Sequence, residues 1–230
     1  MTYTLITANR NYSSWSLRPW LLMKALGIGF EERFEPFTKD SNYDEFRSFS
    51  PTGQVPVLID QDKTIYDSLG ITLYLADRHE GIWPTAESAR AWAQCAVAEM
   101  HGGFTALRNE CTMNVGVRAK LRAQSPALTR DVARIKELWS EGLNRFGGPY
   151  LAGSDFSAVD AFFAPVAYRV RTYDLDVGDG GAAWADQIIA HPAMQDWEAQ
   201  ALAETWREVG HEEELAAFAD VTADYRTASV

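Results

Sequence analysis

The sequence predicts an α/β domain at the start of the chain and an all-α domain after it, and three observations carry that expectation. Short β-rich runs at 3–7, 30–37, 57–59 and 64–66 are interleaved with helical spacing. His79-Glu80-Gly81-Ile82-Trp83-Pro84 then brackets two apolar residues with a glycine and a proline, a clear break. Beyond it, apolar residues recur every three or four positions almost to the end. The expected domains are residues 1–80 and 86–230.

Tyr3 to Thr7 alternates weakly and is rich in β-formers, so it reads as a first strand, with Ala8 to Ser13 a polar connection. From Trp15 to Leu26, apolar residues at 15, 17, 20, 21, 22, 25 and 26 make a helix with a broad buried stripe, stopped by Gly27. Pro19 fits only near its start, where a missing N–H is harmless. Ser13, Ser14 and Ser16 therefore stand at or just before the helix N-terminus. Phe30 to Phe37 reads as a second strand, and 40–49 as a short helix or irregular loop. Val57-Leu58-Ile59 and Thr64-Ile65-Tyr66 flank polar Asp60-Gln61-Asp62-Lys63, the pattern of a hairpin with a four-residue loop. Asp67-Ser68 then opens a helix carrying Ile71, Tyr74 and Leu75. This β-α-β-α-β-β-α order is that of a thioredoxin-like domain.

In the second part, 88–110 has helical spacing through Trp92, Ala96, Met100, Phe104 and Leu107. Ser125-Pro126 is an N-cap and first helical residue, opening a helix that runs to Gly147-Gly148. Ser157-x-x-Asp160 is close to a capping box and opens an apolar helix over 161–170. His191-Pro192 starts a last long helix, and the tail from Glu212 carries no assignable role.

Across 230 residues, 47% are apolar and 23% charged, a globular composition. A net charge of -11 excludes a nucleic-acid surface, which needs clustered cations, and means that an anionic ligand requires local positive potential. Cys95 and Cys111 are widely spaced, giving neither a disulfide framework nor a metal site, and both read as buried or inert thiols. The start has no signal-peptide pattern and no apolar run approaches a membrane span, so a soluble, cytoplasmic protein is expected, with no membrane partner.

Two spaced motifs, Ser50-Pro51-x-x-Gln54-Val55-Pro56 and Asp67-Ser68-x-x-Ile71-x-x-Tyr74-Leu75, resemble the glutathione-binding half of cytosolic glutathione S-transferases. The resemblance implies a thioredoxin-like domain followed by an all-α helical domain, glutathione as co-substrate, no metal, and a homodimer. It implies a cis Val55-Pro56 bond, with the Val55 backbone pairing with the cysteinyl part of glutathione as an added strand would. It also implies that Asp67 holds the ligand's ammonium while Ser68 and a helix-start N–H hold its carboxylate, and that Lys39 and Gln54 reach the glycyl end and the backbone.

Ser13-Ser14-Trp15-Ser16-Leu17-Arg18 is similar to the zeta-class Ser-Ser-Cys-Ser signature, with Trp15 in place of the cysteine. Ser13 falls on that class's catalytic serine and Ser14 on its neighbour. A hydroxyl donating to the sulfur favours the thiolate, since a free thiol is mostly protonated near neutrality. The rival readings are that Ser13 and Ser14 only cap the helix, or that Tyr12 is the donor. Arg18 is expected to pair with acidic residues. Met100, His101, Phe104 and Arg108, at three- and four-residue spacing, are expected to share a helix face toward a small electrophilic acceptor with an apolar body and an anionic group. The expected activity is conjugation of glutathione to that electrophile. Its alternatives are a zeta-type glutathione-dependent isomerase and a non-catalytic binding or assembly protein of the same fold.

Overall fold

The computed structural model describes residues 3–38 and 42–227, so Lys39 lies outside the described residues. The first part runs β1 (Tyr3–Thr7), α1 (Ser14–Ala25), β2 (Phe30–Phe34), α2 (Tyr43–Phe46), β3 (Val57–Asp60), β4 (Lys63–Ile65) and α3 (Ser68–Ala76). These strands form one mixed sheet in the order β2-β1-β3-β4, with β1 parallel to β2 and antiparallel to β3. The register sets Leu5 opposite Leu58, both fully buried, so α1 covers a continuous apolar face with Leu17, Trp20, Leu21 and Leu22.

The hairpin loop is shorter than expected. Asp60 pairs with Lys63, leaving only Gln61 and Asp62 as the loop, and Gln61 takes the left-handed conformation (φ 57°) that closing so tight a turn requires.

The second part is α4 (Glu87–Gly102), α5 (Thr105–Glu110), β5 (Val117–Leu121), α6 (Pro126–Phe146), α7 (Ala158–Tyr173), α8 (Gly178–Ile189), α9 (Pro192–Ala203), α10 (Val209–Phe218) and β6 (Ala219–Asp224). The single helix expected over 88–110 is broken. α4 ends at Gly102-Gly103, where a Cβ on Gly103 would lie 2.8 Å from the Glu99 carbonyl oxygen, and Phe104 turns left-handed (φ 57°) before α5. β5 and β6 pair antiparallel, so the unassigned tail closes the molecule as a helix and a strand. No helix among the described residues is long and apolar enough to cross a membrane.

α7 is the axis of the helical part, with Val159, Phe162, Phe163 and Val166 all buried. Burying each such side chain is worth about 1.5–3 kcal/mol. Its start is held by Asp160, whose carboxylate accepts from the backbone N–H of Ser157 (3.0 Å) and of Leu151 (2.9 Å) and from the Trp184 indole N–H (3.1 Å). Burial pushes the Asp160 carboxyl up to about 6 against the pull of these donors. Asp160→Ala leaves three buried donors without an acceptor and is expected to cost about 3 kcal/mol or more of folding free energy, read from the urea midpoint at unchanged m-value.

Candidate functional site

A cleft of about 600 Å³ opens where α1 begins. Its floor comes from Tyr12, Ser13 and Trp15, one wall from Gln54, Val55, Pro56 and Asp67, and the facing wall from α10. Segments distant in sequence meet here because β1 and β3 are neighbours in the sheet, which sets the start of α1 beside the bend before β3.

Ser13 is the N-cap position of α1, yet its hydroxyl caps nothing: it donates to Ser16 Oγ at 2.8 Å, and Ser16 Oγ also accepts from the Ala8 N–H. Ser13 and Ser14, the first residue of α1, are both buried, but only Ser13 is among the residues lining the cleft. Gln54 is pinned by Ser50, whose Oγ donates to the Gln54 carbonyl (2.6 Å) and accepts from its N–H (3.2 Å). The Val55-Pro56 peptide is cis.

Asp67 is the N-cap of α3, accepting from Leu69 N–H at 2.9 Å through Oδ1, and its Oδ2 lies 3.3 Å from His101 Nε2. Ser68 is fully buried behind Asp67 and is not among the residues lining the cleft, and its Oγ has no hydrogen-bond partner. A buried hydroxyl without a partner at a helix start, beside a carboxylate at the cleft, suits a ligand with both an anionic and a cationic end.

The facing wall holds residues with no motif to announce them. His211 stacks between Tyr12 (ring centroids 5.0 Å) and Phe37 (5.4 Å), and its Nδ1 lies 2.6 Å from Glu208 Oε2. The only sequence signal for that pair is the three-residue spacing of an acid and a histidine on one helix. Tyr12 donates its hydroxyl proton to Glu212 (2.6 Å), and burial together with that carboxylate raises the phenol well above its ordinary range. Arg226 in turn bonds Glu212 and Asp224, tying β6 to α10.

The expected acceptor residues do not share one helix face, because α4 stops before Phe104. Met100 is wholly buried in the core, and Phe104 is buried at the left-handed turn. His101 contacts Asp67, while Arg108 on α5 folds back to donate to the Gly103 carbonyl (2.9 Å) and the Met100 carbonyl. None of the four is among the residues lining the cleft, but His101 and Arg108 both pack on Trp15, which is. Cys111 is buried and its thiol pushed up to about 12, whereas Cys95 is exposed on α4, so only Cys111 is a buried thiol.

Residues 12–78 match the sequence model of the glutathione S-transferase N-terminal domain, and residues 90–200 that of the C-terminal domain. The chain belongs to the glutathione S-transferase family. The glutathione S-transferase-like protein OpS6 of Beauveria bassiana (strain ARSEF 2860) is 24% identical over 192 residues, 77% of this chain and 88% of the relative. A glutathione transferase homologue from Burkholderia GL BGR1, solved with bound glutathione, superposes with a TM-score of 0.67 at 19% identity, over 87% of this chain and 98% of that one. The Tau class glutathione S-transferase MiGSTU from mango, Mangifera indica, gives 0.67 at 19%, over 94% and 96%. At such identities the structural likeness is one of fold.

In this chain, α10 and β6 lie beyond the matched C-terminal region, yet α10 forms one wall of the cleft. Glu212→Ala removes the acceptor shared by Tyr12 and Arg226. It is expected to cost about 1–3 kcal/mol and to speed tryptic cleavage within 205–227 relative to the rest of the chain, followed by mass spectrometry of timed digests.

Proposed function

We propose that the chain binds glutathione in the α1 cleft and that Ser13 holds the thiol as thiolate for conjugation to a small electrophile, as a serine-type glutathione S-transferase. One observation carries the reading: Ser13, Gln54-Val55-Pro56 and Asp67, from three separate stretches of chain, line a single cleft. The Val55 backbone takes the cysteinyl unit, Asp67 the ammonium, and Ser68 Oγ with the N–H groups at the start of α3 the adjacent carboxylate. Residues 1–80 supply this half, and 86–230 the acceptor half.

The Ser13 hydroxyl serves the sulfur by changing partner. With the cleft empty of thiolate its proton rests on Ser16 Oγ; a thiolate is the stronger acceptor and draws that proton. Ser16 then turns its own hydroxyl proton toward Ser13 Oγ, so the pair stays fully bonded. The thiol proton leaves to solvent, the sulfur forms its bond to the electrophilic carbon as a leaving group departs with its bonding electrons or a π bond shifts its pair to the neighbouring atom, which then takes a proton from solvent, and no covalent bond to the protein is needed. Lowering the thiol pKa by two units corresponds to about 2.7 kcal/mol. Tyr12 is a poorer rival, since its proton is held by the Glu212 carboxylate, a stronger acceptor than the neutral Ser16 hydroxyl that holds the Ser13 proton.

The chain is expected to be retained on immobilised glutathione. Ser13→Ala should leave binding within about threefold but remove most thiolate absorbance of the bound tripeptide, a loss of roughly tenfold to a hundredfold in kcat/KM. Asp67→Asn should raise the glutathione Kd by about tenfold or more. Unchanged thiolate formation in Ser13→Ala, with loss in Ser14→Ala or Tyr12→Phe, would overturn the assignment, and failure to bind glutathione would favour the assembly-protein reading.

A further inference from the structure

Arg18 is wholly buried, and none of its three guanidinium nitrogens has a hydrogen-bond partner. Its guanidinium carbon lies 4.1 Å from the Trp15 ring centre and 4.9 Å from that of Phe162. Cation–π contacts of this kind hold the charge against the rings but supply no acceptor for its N–H groups. The expectation that Arg18 pairs with acids is therefore not met. Asp67 acts on it through charge, without a hydrogen bond to any of its nitrogens.

The same indole gathers two more groups, each with one unpartnered nitrogen. The Arg108 guanidinium lies 4.6 Å from the Trp15 ring; two of its nitrogens bond backbone carbonyls, but Nη1 is buried and free. The His101 ring is 5.2 Å from Trp15, and its Nδ1 is buried and free. Arg169, also buried, is held by the carbonyls of Cys111 and Pro165 and adds positive potential to both other arginines' surroundings. Burial holds Arg18 below the ordinary arginine range, with Arg108 and Arg169 adding to the effect. Asp67 offsets Arg18, and Asp131 offsets Arg108, only through space; ordered water can complete the hydrogen bonds of such a cluster but cannot supply the missing charge, and an incompletely compensated buried charge costs several kcal/mol. Trp15 and Asp67 both line the α1 cleft, so the cluster stands directly behind the cleft wall.

We propose that Arg18 and Arg108 form a carboxylate-binding site behind Trp15, flanked by His101, and that it takes the anionic group of the acceptor. The inference rests on the glutathione-conjugating reading above and narrows the acceptor to small aromatic or unsaturated electrophiles bearing a carboxylate. Two guanidinium edges match the two oxygens of one carboxylate. An anion there also favours the doubly protonated His101, with Nε2 facing Asp67 and Nδ1 facing the ligand. Trp15 meets the acceptor's apolar body.

The test uses the full chain and two acceptors that differ by one carboxylate, a chlorodinitrobenzoate and the matching chlorodinitrobenzene. In each, the thiolate sulfur bonds the carbon bearing chlorine and chloride leaves with the bonding electrons. Arg18→Met and Arg108→Gln should each lower kcat/KM for the benzoate by about tenfold or more while changing that for the neutral acceptor by less than about threefold. Benzoate itself should bind saturably in calorimetry, and Arg18→Met should abolish that binding. Arg18→Met should also keep or raise the melting temperature, since it removes an unpaired buried charge at similar volume; a marked fall would assign Arg18 a packing role and overturn the proposal, as would equal losses with both acceptors. Benzoate displaced by glutathione would assign the site to the tripeptide's own carboxylate, and equal binding of inorganic phosphate would assign it to a free anion; either overturns it. If Arg18→Met fails to fold, Arg108→Gln decides by the same ratio. Absence of glutathione binding would sink the conjugation reading alone, because the benzoate titration still judges the site.

Discussion

Helix α1 is buried on two sides at once, against the sheet and against α7, and the geometry of the cleft depends on that double packing. Leu17, Trp20, Leu21 and Leu22 are fully inaccessible, and Trp20 sits edge-on to Trp197 of α9 at 5.1 Å while its N–H reaches Glu32 of β2. A helix so clamped cannot slide or rotate without opening voids. Its first residues are fixed too, although they follow a polar connection that would otherwise be loose. Trp197 donates to the Arg10 carbonyl (3.0 Å), and buried Glu204 accepts from the backbone N–H of Arg10 (2.6 Å) and Asn11 (3.4 Å). The far end of the helical part thus satisfies the backbone that presents Ser13.

Much of this was legible in the chain because local chemistry and global fold agree there. The first strand, the stop at Gly27, the Ser125-Pro126 start and the Asp67 cap all fall where their residue types demand, since each depends on neighbours within four positions. The break after Gly102 was hidden because apolar residues keep a three-to-four spacing through it; only the two glycines hinted that the backbone turns. β5 and β6 were hidden for a different reason. Val117–Leu121 and Ala219–Asp224 are about a hundred residues apart and weakly patterned, and each becomes a strand only by pairing with the other.

The same distinction holds at the site. Ser13, Gln54, Val55, Pro56 and Asp67 were readable because they belong to motifs with fixed spacing. His211 and Glu208 were not, because α10 reaches the cleft through tertiary packing that no periodicity encodes. Arg18 was misjudged by the usual rule that a buried cation finds an acid. The rule fails because α1 faces aromatic rings and other cations at that level, and no carboxylate within hydrogen-bonding range is supplied by α4, α5 or α7.

That arrangement resolves an apparent contradiction in the charge of the molecule. With a net charge of -11 the protein should repel anions, and the cleft rim itself carries Asp67, Glu208 and Glu214. Surface acids, however, act through water and salt, where a unit charge at 4 Å is worth about 1 kcal/mol and fades within a Debye length. Buried guanidinium groups act through a medium of lower permittivity, where the same pair is worth about 4 kcal/mol at an effective dielectric of 20. The interior field therefore prevails at short range over a more numerous exterior one. A ligand carrying both signs meets opposite preferences along one path, with its cationic end favoured at the acidic rim and an anionic group favoured toward Trp15 and the arginines behind it.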